Sequence, residues 1–172
     1  LHRVDRRQRQ MCIRDSPTGP LHIGHGRGMI LGEVTAKFLS YQGHKIAREY
    51  YVNDAGRQID LLLVSVLLCH LGKNKHIFVD EKSNDDSHLV TYKGNYVNDV
   101  AISLSHDLEK IDKNSALNLL NEPIDSLISF LKNHKSYSQI RNALVNVIID
   151  EYINEDLSAV GINFDSWFRE SQ

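Results

Sequence analysis

SPTGPLHIGHGRG, residues 16–28, decides how the rest of the chain is read. Pro17, Gly19 and Pro20 exclude a helix interior at its start. From Gly24 a helical period begins, with Ile30, Leu31, Val34, Phe38 and Leu39 on one face. It stops at Gly43, a natural C-terminal position. An extended segment therefore turns into a helix, and the junction holds His22, Gly24 and His25. Backbone N–H groups at a helix start lack intrahelical partners, and with the helix dipole they attract anions, commonly phosphate. His22 and His25 are three residues apart and can project to the same side. Imidazole donors there suit the oxygens of a triphosphate, most of all as charge moves onto a leaving pyrophosphate. Gly24 has no side chain, so a flat base could lie against its backbone. The pattern suits nucleotidyl transfer, in which an oxygen nucleophile attacks an α-phosphate. A bare His-x-x-His is more often a surface or capping pair than a catalytic one. No Cys or carboxylate pair completes a tetrahedral zinc set. The residues themselves lead to a nucleotide phosphate site and no further.

Outward from that stretch, HKIAREYYVND (44–54) is rich in β-branched and aromatic residues and reads as a strand. Tyr50 and Tyr51 then face opposite sides, one toward the core and the other available to a cleft. Asn53-Asp54-Ala55-Gly56 turns the chain. A second helix carries Ile59, Leu62, Leu63, Val66 and Leu67 to Gly72. Residues 16–72 are thus expected to form the first half of a nucleotide-binding α/β domain, a partial doubly wound parallel sheet. Residues 73–161 are expected to be a largely helical insertion that opens with a polar loop over 73–93. Tyr96, Val100, Leu104, Leu108 and Ile111 recur at about one turn. Pro123 divides the next helical stretch in two or kinks it. Ile140, Leu144, Val147, Ile148, Leu157 and Val160 mark a last, longest helix that ends at Gly161. INFDSWFRE opens an extended segment over 162–172 leading to the missing remainder of an incomplete sheet. Trp167 with Phe164 and Phe168 is its apolar anchor, expected to dock on that remainder.

Of 172 residues, 41% are apolar and 24% charged, and the net charge is −2, which gives no global basic signal for nucleic acid and leaves only a local groove. LLLVSVLLC is too short to cross a membrane, and no apolar stretch follows the basic N-terminal residues as in a signal peptide. Cys12 and Cys69 lack the spacing of a zinc site or disulfide framework, which implies a reducing, intracellular setting. Cys69 reads as core. His70, His76, His88, His106 and His134 read as solvated, and EKSNDDS as a solvated loop. Residues 1–15 have no amphipathic period. Back-translated, Arg6 to Asp15 fits a transposase sequencing adapter read in frame. Residues 1–15 are therefore expected to be adapter-derived and to pack against nothing. Nothing in the sequence sets the oligomeric state.

PTGPLHIGHGRG resembles the signature of class I aminoacyl-tRNA synthetases, with His22-Ile23-Gly24-His25 as its hallmark. The larger resemblance is to arginyl-tRNA synthetases. It is carried by REYYVNDAGRQI, YKGNYVNDVA and GINFDSWFRES, in order across residues 16–172. It implies a cytoplasmic enzyme in which arginine's carboxylate attacks ATP, with Mg2+, and the arginyl group passes to the terminal adenosine of tRNA. It implies that His22 and His25 stabilise the phosphates, that Thr18, Gly19 and Gly24 line the ATP site with Gly24 under the adenine, and that Asn53, Asp54, Gly56 and Gln58 lie near the substrate. Ser16 stands where that family carries an arginine-binding Asn. The first strand, a Lys-Met-Ser-Lys loop and the anticodon-binding helices lie outside the resemblance, so the chain reads as a fragment whose own activity is not expected. The alternatives are another class I synthetase, a small nucleotidylyltransferase, which would usually complete its sheet within this length, or a non-catalytic RNA-binding paralogue.

Overall fold

A computed structural model of the chain describes residues 14–15, 17–73 and 91–171. The order is β1 (Arg14–Asp15), α1 (Ile23–Tyr41), β2 (Glu49–Val52), α2 (Arg57–His70), α3 (Asn95–Ser103), α4 (Ser105–Leu108), α5 (Lys113–Asn118), a 3-10 turn (Leu119–Asn121), α6 (Ile124–Lys132), α7 (Tyr137–Ile148), a π-helical turn (Ile149–Ile153), α8 (Asn154–Ala159) and β3 (Ser166–Arg169). The three strands form one parallel sheet in the order β1-β2-β3. This is the partial α/β fold expected from the sequence, followed by a helical module.

Two packing expectations need correction. Arg14 and Asp15 do not stand apart: they pair in register with Tyr51 and Val52 of β2. Ladder bonds use backbone groups that every residue carries, so the coding origin of a segment does not prevent pairing. Residues 1–13, Ser16, His76, His88 and EKSNDDS lie outside the described residues. At the other end, Trp167 and its neighbours dock within the chain. Glu49 to Val52 pair with Ser166 to Arg169 in parallel. Trp167 stacks on Tyr50 at 4.5 Å, and Phe164 meets the Tyr50 ring edge-on at 5.2 Å. On the opposite face Tyr51 stacks with Phe168 at 5.6 Å. The alternation of Tyr50 and Tyr51 thus places one aromatic pair on each face of the sheet. β2 is shorter than the strand expected over 44–54, because its pairing partners reach only Glu49 to Val52.

The core sits on α2. Ile59, Leu62, Leu63, Val64, Val66, Leu67 and Leu68 are all buried, so this helix is covered on nearly every side and is enclosed by α3, α6 and α7. Its buried Asp60 accepts a hydrogen bond from the Tyr137 hydroxyl (2.5 Å) and pairs with Lys132 Nζ (2.8 Å), as a buried carboxylate requires. Pro123 caps the start of α6, so its stretch is two helices rather than one kinked helix. The last helical stretch is continuous but not uniform. Its π turn holds an extra residue and resets the buried stripe from Ile140, Leu144 and Ile148 to Ile149, Ile153 and Leu157. Val160, expected on that stripe, is 59% exposed at the helix end.

The helix ends follow the glycines. Gly43 takes φ +85°, and its N–H donates to Ser40 O while that of His44 donates to Leu39 O. This is the paired-bond termination that a residue in the left-handed region permits. Gly72 closes α2 in the same way through Cys69 O and Leu68 O. The apolar face of α1 differs from expectation. Met29 is its one buried residue, while Ile30, Leu31, Val34 and Phe38 are each about 60% exposed.

Candidate functional site

Three parallel strands end at one edge of the sheet, and the segments that follow them leave from that edge: 17–22 after β1, 53–56 after β2 and 170–171 after β3. Ligands of open α/β sheets bind outside the carboxyl ends of the strands. His22 is the N-cap of α1, with extended backbone (φ −121°, ψ 170°). Its Nδ1 accepts the Gly24 N–H at 3.1 Å, and Nδ1 of His25 accepts the His22 N–H at 3.1 Å. The two imidazoles thus form a reciprocal capping box, the arrangement usually made by Ser or Thr with Glu or Gln. The rings lie 3.7 Å apart between centroids. An Nδ1 that accepts a backbone amide carries no proton, so each neutral ring bears its proton on Nε2. Capping therefore selects the tautomer and turns each Nε2 into a donor at the positive end of α1.

The residues before His22 are held from the helical module. The Tyr96 hydroxyl donates to Thr18 O at 3.0 Å, and its ring covers Gly19, where a Cβ would stand 3.0 Å from the ring. The Leu21 N–H donates to Asp156 Oδ2 at 2.8 Å. Burial first, then the neighbouring Tyr92 and Tyr152, push the Tyr96 hydroxyl up to about 12, so it remains a donor at neutral pH. Sequence reasoning missed both contacts. Tyr96 lies within YKGNYVNDVA, a stretch already singled out, but no local signal connects it to residues 78 positions earlier. Gly24 also has a nearer neighbour than a base: a Cβ there would meet His22 Cε1 at 2.8 Å and Nδ1 at 2.9 Å.

Asp54 is fully buried, and both its oxygens are engaged by one residue. Ser171 N–H donates to Oδ1 (2.9 Å) and Ser171 Oγ to Oδ2 (2.7 Å). Here Asp54 ties the β2–α2 turn to the end of β3. Asn53 is half-buried beside it, and Gln58 is exposed in the first turn of α2. Arg48 joins α1 to the sheet: its guanidinium donates to Glu33 (Nε–Oε2 2.9 Å), and its backbone N–H to Asp165 Oδ2 (2.7 Å). Of the remaining residues read from sequence, Cys69 is half-buried and hydrogen-bonds Asn98, and burial pushes its thiol up. His106 is exposed. His134 accepts the Ser136 N–H, whereas Nε2 of His70 is buried without a hydrogen-bond partner, so His70 is not the solvated residue expected. Among the described residues no three His, Cys, Asp or Glu side chains group to hold a metal, and no helix is long and apolar enough to cross a membrane.

A family model described as the catalytic domain of class I (R) tRNA synthetases matches residues 14–152. An arginine–tRNA ligase of Acidithiobacillus ferrooxidans is 35% identical over 168 residues, covering 92% of this chain and 28% of that protein. One from Helicobacter pylori is 35% identical over 160 residues, covering 93% and 25%. A crystal structure from Campylobacter jejuni, carrying the name arginyl t-RNA synthetase, superposes with a TM-score of 0.57 at 30% identity, over 93% of this chain and 30% of that one. The chain therefore spans between a quarter and a third of the length of these relatives.

Proposed function

Given that the chain belongs to the class I (R) tRNA synthetase catalytic-domain family, we propose that it supplies the phosphate-handling half of the site in a cytoplasmic enzyme that joins arginine to its tRNA. A carboxylate oxygen of arginine attacks the α-phosphorus of ATP, the bond to the β-phosphate oxygen breaks, and pyrophosphate leaves. The terminal adenosine hydroxyl of tRNA then takes the arginyl group and AMP leaves. The observation that carries this reading is the reciprocal His22–His25 cap. It presents two Nε2–H donors at a helix N-terminus, where negative charge grows as pyrophosphate departs. Thr18, Gly19 and Gly24 border this position, and Asn53, Asp54 and Gln58 stand at the neighbouring strand end. In this reading Asp54 acts through the Ser171 clamp. A magnesium ion would accompany ATP on its own phosphate oxygens.

The test is amino-acid-dependent exchange of pyrophosphate into ATP by the full-length protein, with tRNA present. Arginine alone should support exchange, and the 172-residue chain by itself should give none. Exchange driven by a different amino acid, or by none, contradicts the arginine assignment.

A further inference from the structure

We propose that Tyr96 and Asp156 are positioning residues for the adenylation step, holding the 18–21 segment from the helical module and so setting where His22 and His25 stand. The ligand in this inference rests on the function proposed above; the geometry does not. Residues 17–22 belong to no helix or strand, so their backbone groups depend on partners from elsewhere. Two long-range bonds supply them, one on each side of Gly19-Pro20. Tyr96 reaches Thr18 O across 78 positions of sequence, and Asp156 reaches Leu21 N across 135. The Tyr96 ring also closes over Gly19, which has no room there for a side chain.

Both residues belong to one cluster. Tyr96 lies in the first turn of α3, and its ring meets Tyr152 edge-on at 6.1 Å. Tyr152 sits in the π turn, and Asp156 follows in α8. An extra residue in a helical turn rotates everything after it by about 100°. The π turn therefore determines which side of α8 carries Asp156. Straightening this turn into α-helix would swing the carboxylate off Leu21 while leaving the rest of the helix intact. A helical irregularity, a half-buried tyrosine and one carboxylate thus converge on the segment that leads into the histidine cap. The histidines act on charge that develops only in the transition state, so an error in their placement should reduce turnover more than ATP binding.

The test uses the full-length protein with Tyr96→Phe, Asp156→Ala and Asp156→Asn. Tyr96→Phe keeps the ring on Gly19 and removes the hydroxyl. Asp156→Asn keeps a carbonyl that can accept the Leu21 N–H, whereas Asp156→Ala does not. Loss of one such bond should lower kcat for arginine-dependent pyrophosphate exchange about tenfold in Tyr96→Phe and Asp156→Ala. The ATP KM should stay within about twofold, and Asp156→Asn should recover most of the rate. Unchanged kcat in both Tyr96→Phe and Asp156→Ala overturns the proposal, as does a loss that Asp156→Asn fails to rescue. A second readout needs no activity. Side-chain 1H–15N signals of His22 and His25 should shift in Asp156→Ala and return in Asp156→Asn. If the wild type shows no exchange with arginine, the functional reading fails, and these signals alone decide the positioning claim: no shift overturns it.

Discussion

Gly24 shows how a residue's role can be visible in sequence while its physical reason is not. The sequence marks it as a place where backbone is open to a flat ring. In the fold a ring does lie there, but it is the imidazole of His22, folded back to accept the Gly24 N–H. A methyl group at this position would overlap that ring, which is a flexible side chain and would yield. Gly24→Ala should therefore leave the fold standing but expel His22 from its cap, and the loss of the cap, about 1 kcal/mol, is offset by the better helix propensity of Ala over Gly. His22→Ala isolates the cap, because His22 precedes the helix: thermal unfolding should show a loss of about 1 kcal/mol, and an unchanged midpoint would mean that the cap contributes nothing. Asp54 illustrates the limit of reading residues from sequence. Its motif places it near the substrate, yet its carboxylate is filled by Ser171, 117 residues later. No spacing rule connects two such positions. The histidine tautomers were equally illegible, because they depend on the extended backbone of His22 and not on residue type.

Elements were legible where their signals were local. The ends of α1 and α2 follow from Gly43 and Gly72, and the division between α5 and α6 from Pro123. The apolar period of α1 was also read correctly as a helix, but periodicity cannot say what covers a face, and that face is exposed. The π turn left no mark, since a one-residue insertion looks like ordinary scatter in a helical pattern. What fastens α1 to the sheet is instead polar. The Arg48 guanidinium, the largest influence, holds the Glu33 carboxyl below its ordinary value of 4.5, with Lys37 adding to the effect and burial opposing it. A carboxyl whose folded pKa is depressed stabilises the fold above its unfolded pKa and loses that contribution as pH falls through the folded one. Glu33→Gln should therefore lower stability by about 1 kcal/mol at neutral pH, the upper end for an ion pair that keeps contact with solvent; the Arg48 and Glu33 side chains are 27% and 13% exposed. The gap between wild type and variant should close as pH drops below 4.5. Urea titrations at several pH values measure it, and a gap that widens toward acid would contradict the assignment.

At the scale of the whole molecule, the parallel order β1-β2-β3 brings three loops to one edge, and the helical module between β2 and β3 reaches back to the first of them through Tyr96 and Asp156. The sequence foresaw a half-built α/β domain with a helical insertion. It did not foresee that the insertion grips the signature loop, because those contacts join residues far apart in the chain. The central claim concerns the two histidines, and the direct test is arginine-dependent pyrophosphate exchange by the full-length protein carrying His22→Asn or His25→Asn. The Asn side chain can stand where Nδ1 accepts the capping amide, but it lacks the Nε2 donor. Each variant is predicted to stay folded, with kcat reduced about a hundred- to a thousandfold and the ATP KM nearly unchanged, as for removal of one preorganised donor. Exchange within about threefold of wild type in both folded variants would contradict the account.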